Sequence, residues 1–587
     1  MKTRTSAIPI ITLALLAYLV FDSGGRTVLG VVLIMLMALP LSIQFYLIQR
    51  SQKGGHKNRI LLYLPFGLVA VSFISAAFSQ FRYESLVQSF YLLALVLIYQ
   101  IISRLVLTKK HLDIIVIALF ALGLVESLIA IFNYLVSSLP SEFIRMSGTF
   151  YWPNPLAAFL LVSIIAGLYL LWIGERFRYL LVLGVSIILS TLILTYSKGA
   201  YLSLAPLILI LIWQLWHKLK KGWQVKVALF IVVTSLLTFG LSHLRQNGFQ
   251  LRSGSLQTAS DGSANSLTRV KYWRGALDIF HDHKLVGSGP ATFGDVYPRY
   301  QKTPVDYAKN THNFYLETLA ETGVFGFLIL IIFSLLLIII PIRTLSRSNG
   351  ANLAIYLALL GLLIHSTVDV DLSYPALFLL FFMLAGLAAG SVTGRKEDVK
   401  SDWTVFFWPI AGLVLAVFAV FNYYSARNYS QGKELLLAGD YSGAYAKFSA
   451  SINFLNENPR SDYYLAQIDY ARDNNAKAET EIDRALSLYP VSAPFFFTRG
   501  RIVEAAGNDV LAIDSYLKAI ENDPKNNPNY YISLTELYLK TGRKQAVRDL
   551  LTPMLKSYND QTFATLNLNT DLPAQIKKLR ELLKLAN

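Results

Sequence analysis

Runs of about 20 mostly apolar residues recur along the first two-thirds of the chain, each long enough to cross a bilayer as a helix. Thirteen such runs centre near Leu15, Leu36, Val69, Leu95, Ala121, Val162, Ile187, Leu207, Val232, Phe333, Leu359, Phe378 and Val414. The first has the charge and length of a signal peptide but no small-x-small cleavage site, and a second apolar run follows at once, so it reads as a retained helix. From about Asn428 the pattern changes to shorter helical periods separated by turn residues.

That last region repeats. Ala444, Ala478, Ala512 and Ala546 recur every 34 residues, each behind a turn signal: GDYSG, DNNAK, GNDVL, TGRKQ. A helix-turn-helix period of that length, with small residues at packing positions, is the tetratricopeptide pattern. The expected fold is therefore all-α. Residues 1–427 form a polytopic membrane helix bundle with a large external loop at about 242–311. Residues 428–587 form an α-solenoid of four repeats and a capping helix, with a concave face suited to holding a partner. Such a solenoid is expected to be separable, so that deleting it leaves the membrane region intact.

Composition agrees with a membrane chain: 54% hydrophobic residues and 15% charged, where soluble chains carry about 25% charged residues. The net charge of +16 does not require nucleic acid, because Lys and Arg collect in cytoplasmic loops. The loops after even-numbered helices, with the N-terminus, are the basic set, including QRSQKGGHKNR, HKLKKGWQVK and TGRKEDVK. The positive-inside rule then places the N-terminus in the cytoplasm and the repeats outside. There is no cysteine, which excludes disulfides, thiolate nucleophiles and Cys-based metal sites. No Walker loop, Rossmann fingerprint or HExxH is present, and acidic residues are nearly absent from the apolar runs, which argues against an ion-coupled transporter.

The polar residues that remain gather at one predicted face. His312 opens THNFYLETLAETGVFG, with Asn313 beside it, Glu317 and Glu321 one turn apart, and Gly323 and Gly326 permitting a sharp re-entry into the membrane. A lone histidine is commonly a capping residue, but an imidazole in this company suits a general base. Arg269 and Trp273 share one face of the helix in SLTRVKYWRGALDIF, and a guanidinium there can grip phosphate bidentately. Lys198, in the tight turn TYSKGA, either snorkels to headgroups or contacts a phosphate, and the residues alone leave both open. Pro153, Asn154 and Pro155 mark a helix entrance.

These segments together resemble the O-antigen ligase family, which includes related polysaccharide polymerases and protein O-oligosaccharyltransferases. His312-Asn313, nine residues, then Gly323 and Gly326 fits that family's hallmark spacing. GTFYWPNPLAAF, with Asn154, is similar to a second family segment, RVKYWRGALDIF places Arg269 at the family's essential arginine, and HSTVDVDL, with His365 and Asp369, is similar to a third. The resemblance spans roughly residues 10–395. It departs at Ser197-Lys198-Gly199, where the family has Ser-Arg-Gly, so the charge is kept and the bidentate fork is lost.

The resemblance implies an inverting glycosyltransferase of the bacterial inner membrane that needs no metal or other cofactor. Its donor would be an undecaprenyl-diphosphate-linked glycan, and its acceptor a hydroxyl of a surface protein, lipid or envelope polymer. His312 would be the base, and Arg269 and Lys198 would bind the diphosphate. A cell-envelope protein is the expected partner of the repeats. A polymerase extending the same glycan would share the site; a lipid transporter or a membrane-anchored scaffold would not need it.

Overall fold

The computed structural model describes residues 7–49, 55–56, 59–105, 107–137, 145–174, 177–215, 223–244, 266–304, 307–345, 350–392, 395–396, 406–452, 458–558 and 571–587. Gly54, in the basic loop after the second apolar run, and the whole stretch between Leu244 and Ser266, in the expected external loop, lie outside them. The membrane region runs α1 (Ala7–Phe21), α2 (Val28–Gln49), α3 (Arg59–Phe78), α4 (Arg82–Ser103), α5 (Lys109–Val136), α6 (Pro153–Ile173), α7 (Arg178–Leu194), α8 (Lys198–Leu215) and α9 (Trp223–Leu244). Two helices of the long loop follow, α10 (Ser266–Asp282) and α11 (Phe293–Tyr300), then α12 (Phe314–Leu345), α13 (Gly350–His365), α14 (Pro375–Val392) and α15 (Trp408–Leu437).

Each of the thirteen apolar centres falls within a helix. Among the described residues, nine helices are long and apolar enough to cross a membrane, and α1, α7, α8 and α13 are shorter apolar helices. α6 and α14 are buried nearly all round, so they are central, whereas α9 and α12 present more of themselves outward. A two-residue antiparallel pair, Gly55–His56 with Arg395–Lys396, joins the segments after α2 and after α14.

Alternate linkers meet on one side of the bundle. Gly24 packs against Phe150 and Tyr374. Thr149 Oγ1 donates to Val20 O (2.7 Å), Ser79 Oγ to Ser288 O (2.9 Å) and Arg145 Nε to Thr195 O (2.7 Å). This is the side that also carries α10, α11 and the C-terminal helices.

Those helices are α16 (Tyr441–Ile452), α17 (Pro459–Ala471), α18 (Asn475–Leu488), α19 (Ala493–Ala505), α20 (Asp509–Asn522), α21 (Asn529–Lys540), α22 (Lys544–Ser557) and α23 (Leu572–Ala586), packed in sequence order. Ala444, Ala478 and Ala512 are fully buried, as close helix packing requires, while Ala546 is only half-buried and Val547 fills that place. Gly439, Asp473, Gly507 and Gly542 occupy the four inter-helix turns with φ of 80°, 58°, 84° and 73°, the left-handed conformation that ends a helix. Asn458 and Asn508 cap α17 and α20 through side-chain oxygens that accept from Ser461 N and Leu511 N.

The repeating region is not a free arm. α15 runs without a break from the bundle into it, about 45 Å by its length. One stripe of α15 serves both parts: Gly412 seats against Leu39 and Ser42 of α2, and Gly432 against Phe448 of α16. Phe81 stacks edge-on against Tyr489 at 4.9 Å within an apolar cluster that also holds Phe495 and Val296. Arg299 pairs with Glu521 (3.1 Å), and Gln301 and Asn526 exchange amide hydrogen bonds (2.9 and 3.0 Å).

Candidate functional site

The segment Asn310–Asn313 enters α12 through a side-chain cap: Asn313 Oδ1 accepts from Leu316 N (3.0 Å), and its Nδ2 donates to Thr367 O (2.8 Å). Phe314 N donates to Ser366 O (3.0 Å), tying this entry to the linker after α13. Glu317 accepts from Thr311 N (2.9 Å) and from Asn310 Nδ2 (3.1 Å). Held from both sides, His312 adopts φ of 54°, sparsely populated for a residue with a side chain and found where surroundings over-determine it.

That conformation brings the imidazole to Asp369. His312 Nδ1 lies 3.0 Å from Asp369 Oδ1. The other carboxylate oxygen accepts from Arg269 Nη2 (3.1 Å) and from Asn154 Nδ2 (2.6 Å). Asp369 is thus the hub that gathers residues from α6, α10, the α12 entry and the α13–α14 linker. Burial pushes its carboxyl up, but the His312 hydrogen bond and the charge of Arg269 outweigh this and hold it well below the usual carboxylate range. An ionised Asp369 accepts the Nδ1–H of His312, which leaves the Nε2 lone pair free to take a proton. The imidazole is part-exposed, with 28% of its side chain accessible, and its ring stacks near Tyr272.

Arg269 also donates to Val368 O. From the other side, Gly199 packs against Val368, so the start of α8 abuts the same linker, and Lys198, exposed at that helix N-terminus, stands in the same neighbourhood. Trp273 lies one turn from Arg269 on α10, with its indole nitrogen buried. His365 is fully buried and hydrogen-bonded through Nδ1 to Asp371, which holds it inside the bundle rather than against His312.

Gly323 kinks α12 with φ of 67°, and a Cβ there would come within 2.3 Å of Leu285 O. Gly287 crosses α12 equally closely, against the Glu321 carbonyl. Gly326 lies a turn further on, inside α12. Glu321 accepts from Ala291 N (2.8 Å) and Phe293 N (2.9 Å), so it braces the loop that carries α11. The two glutamates therefore hold backbone in place, a task that their helical spacing did not reveal.

Sequence reasoning missed Arg145, whose Nη2 donates to Asn154 Oδ1 (2.8 Å) beside the Thr195 turn that leads to Lys198. An arginine in a loop, 53 residues from Lys198, carries no local signal of that proximity.

Residues 183–331 match the O-antigen ligase family. This stretch is similar to an O-antigen ligase domain. The matched stretch holds Lys198, Arg269, His312, Gly323 and Gly326; Asn154 and Asp369 reach the site from outside it, and His365 also lies outside it. The chain is also similar to a TPR repeat-containing protein of Methanocaldococcus jannaschii, at 26% identity over 148 residues. That match covers 24% of this chain, and the chain spans about a quarter (26%) of the relative's length. Similar solved structures are the first TPR of Spaghetti bound to an HSP90 peptide (18% identity, 20% of this chain and 94% of that one, TM-score 0.20) and a thermophilic TPR protein of Thermus thermophilus (16% identity, 27% and 99%, TM-score 0.18).

Proposed function

We propose that this is a multi-pass glycosyltransferase of the bacterial inner membrane, moving a glycan from an undecaprenyl-diphosphate carrier to a hydroxyl acceptor on the outer face. All thirteen apolar helices span, the N-terminus is cytoplasmic, and the C-terminal region is an external tetratricopeptide solenoid that starts near residue 428. The observation that carries this is Asp369 holding His312 and Arg269 on its two oxygens.

His312 Nε2 takes the proton of the acceptor hydroxyl. The acceptor oxygen bonds to the anomeric carbon as the bond from that carbon to the diphosphate oxygen breaks on the opposite face, which inverts the centre. The electron pair leaves with undecaprenyl diphosphate. Arg269 and Lys198, with the positive N-terminus of α8, face the developing negative charge. Asp369 keeps the imidazole in the productive tautomer and stabilises it once protonated.

The test is reconstitution with a lipid-diphosphate-linked glycan and candidate hydroxyl acceptors, reading the product linkage by mass spectrometry. Transfer by the wild type, its loss in His312→Ala and an inverted linkage are expected. A retained anomeric configuration, or full transfer by His312→Ala, would overturn the mechanism.

A further inference from the structure

A cavity of about 570 Å³ opens on the repeat-bearing side of the bundle, yet none of His312, Arg269, Lys198 and Asp369 lines it. Its floor is apolar and aromatic: Leu330 and Phe333 from α12, with Phe378, Phe381 and Phe382 from α14. Phe382 lies seven residues beyond Pro375, so the cavity reaches about 10 Å below the helix end. Its upper wall is polar, with Arg26, Lys309, Glu84 and Asp295 from the membrane region and Arg460 from α17 of the repeating region.

Two wall atoms are unpaired. The Tyr91 hydroxyl, on a side chain only 4% exposed, and Glu84 Oε2 are buried with no hydrogen-bond partner. Buried polar atoms in native proteins ordinarily have one, so this pair marks where a ligand's own polar groups belong. The other two carboxylates of the wall, Glu317 and Glu321, are occupied by the backbone contacts described above. Arg460 bridges the wall, 3.1 Å from Glu84 and 3.8 Å from Asp295, and so joins α17 to α4 and α11 across the cavity. Burial and the nearby Arg26 and Arg460 push the Lys309 amine down.

An aromatic floor under a wall of mixed charges with unfilled hydroxyl and carboxylate groups suits one kind of ligand. A purely anionic head would meet Glu84 and Asp295, and a bare hydrocarbon would leave Tyr91 and Glu84 unpaired. We propose that this cavity binds a hydroxylated amphiphile, its apolar body on the Phe333–Phe378–Phe382 floor and its hydroxyls at Tyr91 and Glu84, and that Arg460 makes the repeating region a wall of the binding site. Binding here requires no chemistry at His312, so binding and transfer can fail separately.

The experiment uses the full-length protein in lipid nanodiscs and an alkyl glucoside with a photoreactive diazirine in its chain. Cross-links should map to the peptides holding Phe333 and Phe378–Phe382, and unlabelled alkyl glucoside should compete where an alkane of equal length does not. Tyr91→Phe, which keeps the ring, should lower labelling about fivefold, and Arg460→Ala about tenfold, the weights of a neutral and a charge-assisted contact. Arg460→Lys should restore most of it, and His312→Ala should label as wild type. Cross-links spread over lipid-facing helices, or wild-type labelling in Tyr91→Phe, would overturn the site. Loss in Tyr91→Phe with wild-type labelling in Arg460→Ala would remove the repeating region from it. Stronger competition by an alkyl phosphate than by the glucoside would overturn the hydroxyl assignment. Should Arg460→Ala loosen the repeating region, Tyr91→Phe alone decides.

Discussion

The Asp369 cluster and the Phe81 contact are both places where distant parts of the chain meet on the repeat-bearing side, but they are built from opposite materials. The cluster joins four segments through one buried carboxylate and its donors. The Phe81 contact joins the bundle to the repeating region through stacked aromatic rings, with exposed ion pairs around them. A buried charge is costly unless every partner is in place, so the first should fail sharply when any member is changed. An apolar contact edged by solvated pairs should fail gradually, in proportion to the area lost.

The largest expected effect is on the cluster. His312→Ala should lower transfer by about two to four orders of magnitude while the protein stays folded in the membrane. Transfer assays paired with a thermal melt check both halves. Asp369→Asn keeps the shape but removes the charge that sets the His312 tautomer, and a loss of about three orders of magnitude is expected. An Asn variant with normal turnover would reduce Asp369 to a packing residue.

The same carboxylate predicts a pH response. Its folded value lies below the ordinary range, so it binds fewer protons folded than unfolded. Its stabilising share is complete above about pH 4 and is lost as the pH falls further through the folded value. Melting temperature should thus fall more steeply on the acid side of pH 4 in wild type than in Asp369→Asn. Parallel acid limbs would show that Asp369 does not control it.

Arg269→Lys and Lys198→Ala come next. Each removes or weakens a charge-assisted phosphate contact, worth about 1.5–3 kcal/mol, or roughly ten- to a hundredfold in transfer. Lys198→Arg should keep much of the activity, and a Lys198→Ala enzyme with unchanged donor use would leave Lys198 as a headgroup anchor.

At the docking contact, Phe81→Ala removes a buried ring and should cost about 3 kcal/mol of local docking, seen as faster hydrogen exchange around Tyr489. Arg299→Ala breaks only an exposed pair, and a change below about 1 kcal/mol is expected. Equal effects from Phe81→Ala and Arg299→Ala would erase the contrast between the two kinds of contact.

The hydrophobic pattern located the helices because a residue's preference for lipid or water is a property of that residue and its neighbours in sequence. The 34-residue period was legible for the same reason: each repeat packs chiefly on the next. The His312 motif was also local, since the entry to α12 and its glycines lie within 15 residues. Asp369 stood in the sequence only as a supporting member of a similar segment, and Arg145, Tyr91 and Glu84 did not stand out at all. Their importance comes from long-range approach: Asn154 and Asp369 lie 215 residues apart and touch at 2.6 Å, and Arg460 meets Glu84 from the far end of the chain. Sequence by itself settled where helices form and how they repeat, because those follow from spacing and solvent preference. Only the tertiary structure decided that one carboxylate gathers the site and that the repeating region folds back onto the bundle, because the charge balance of a buried group depends on all the segments that surround it.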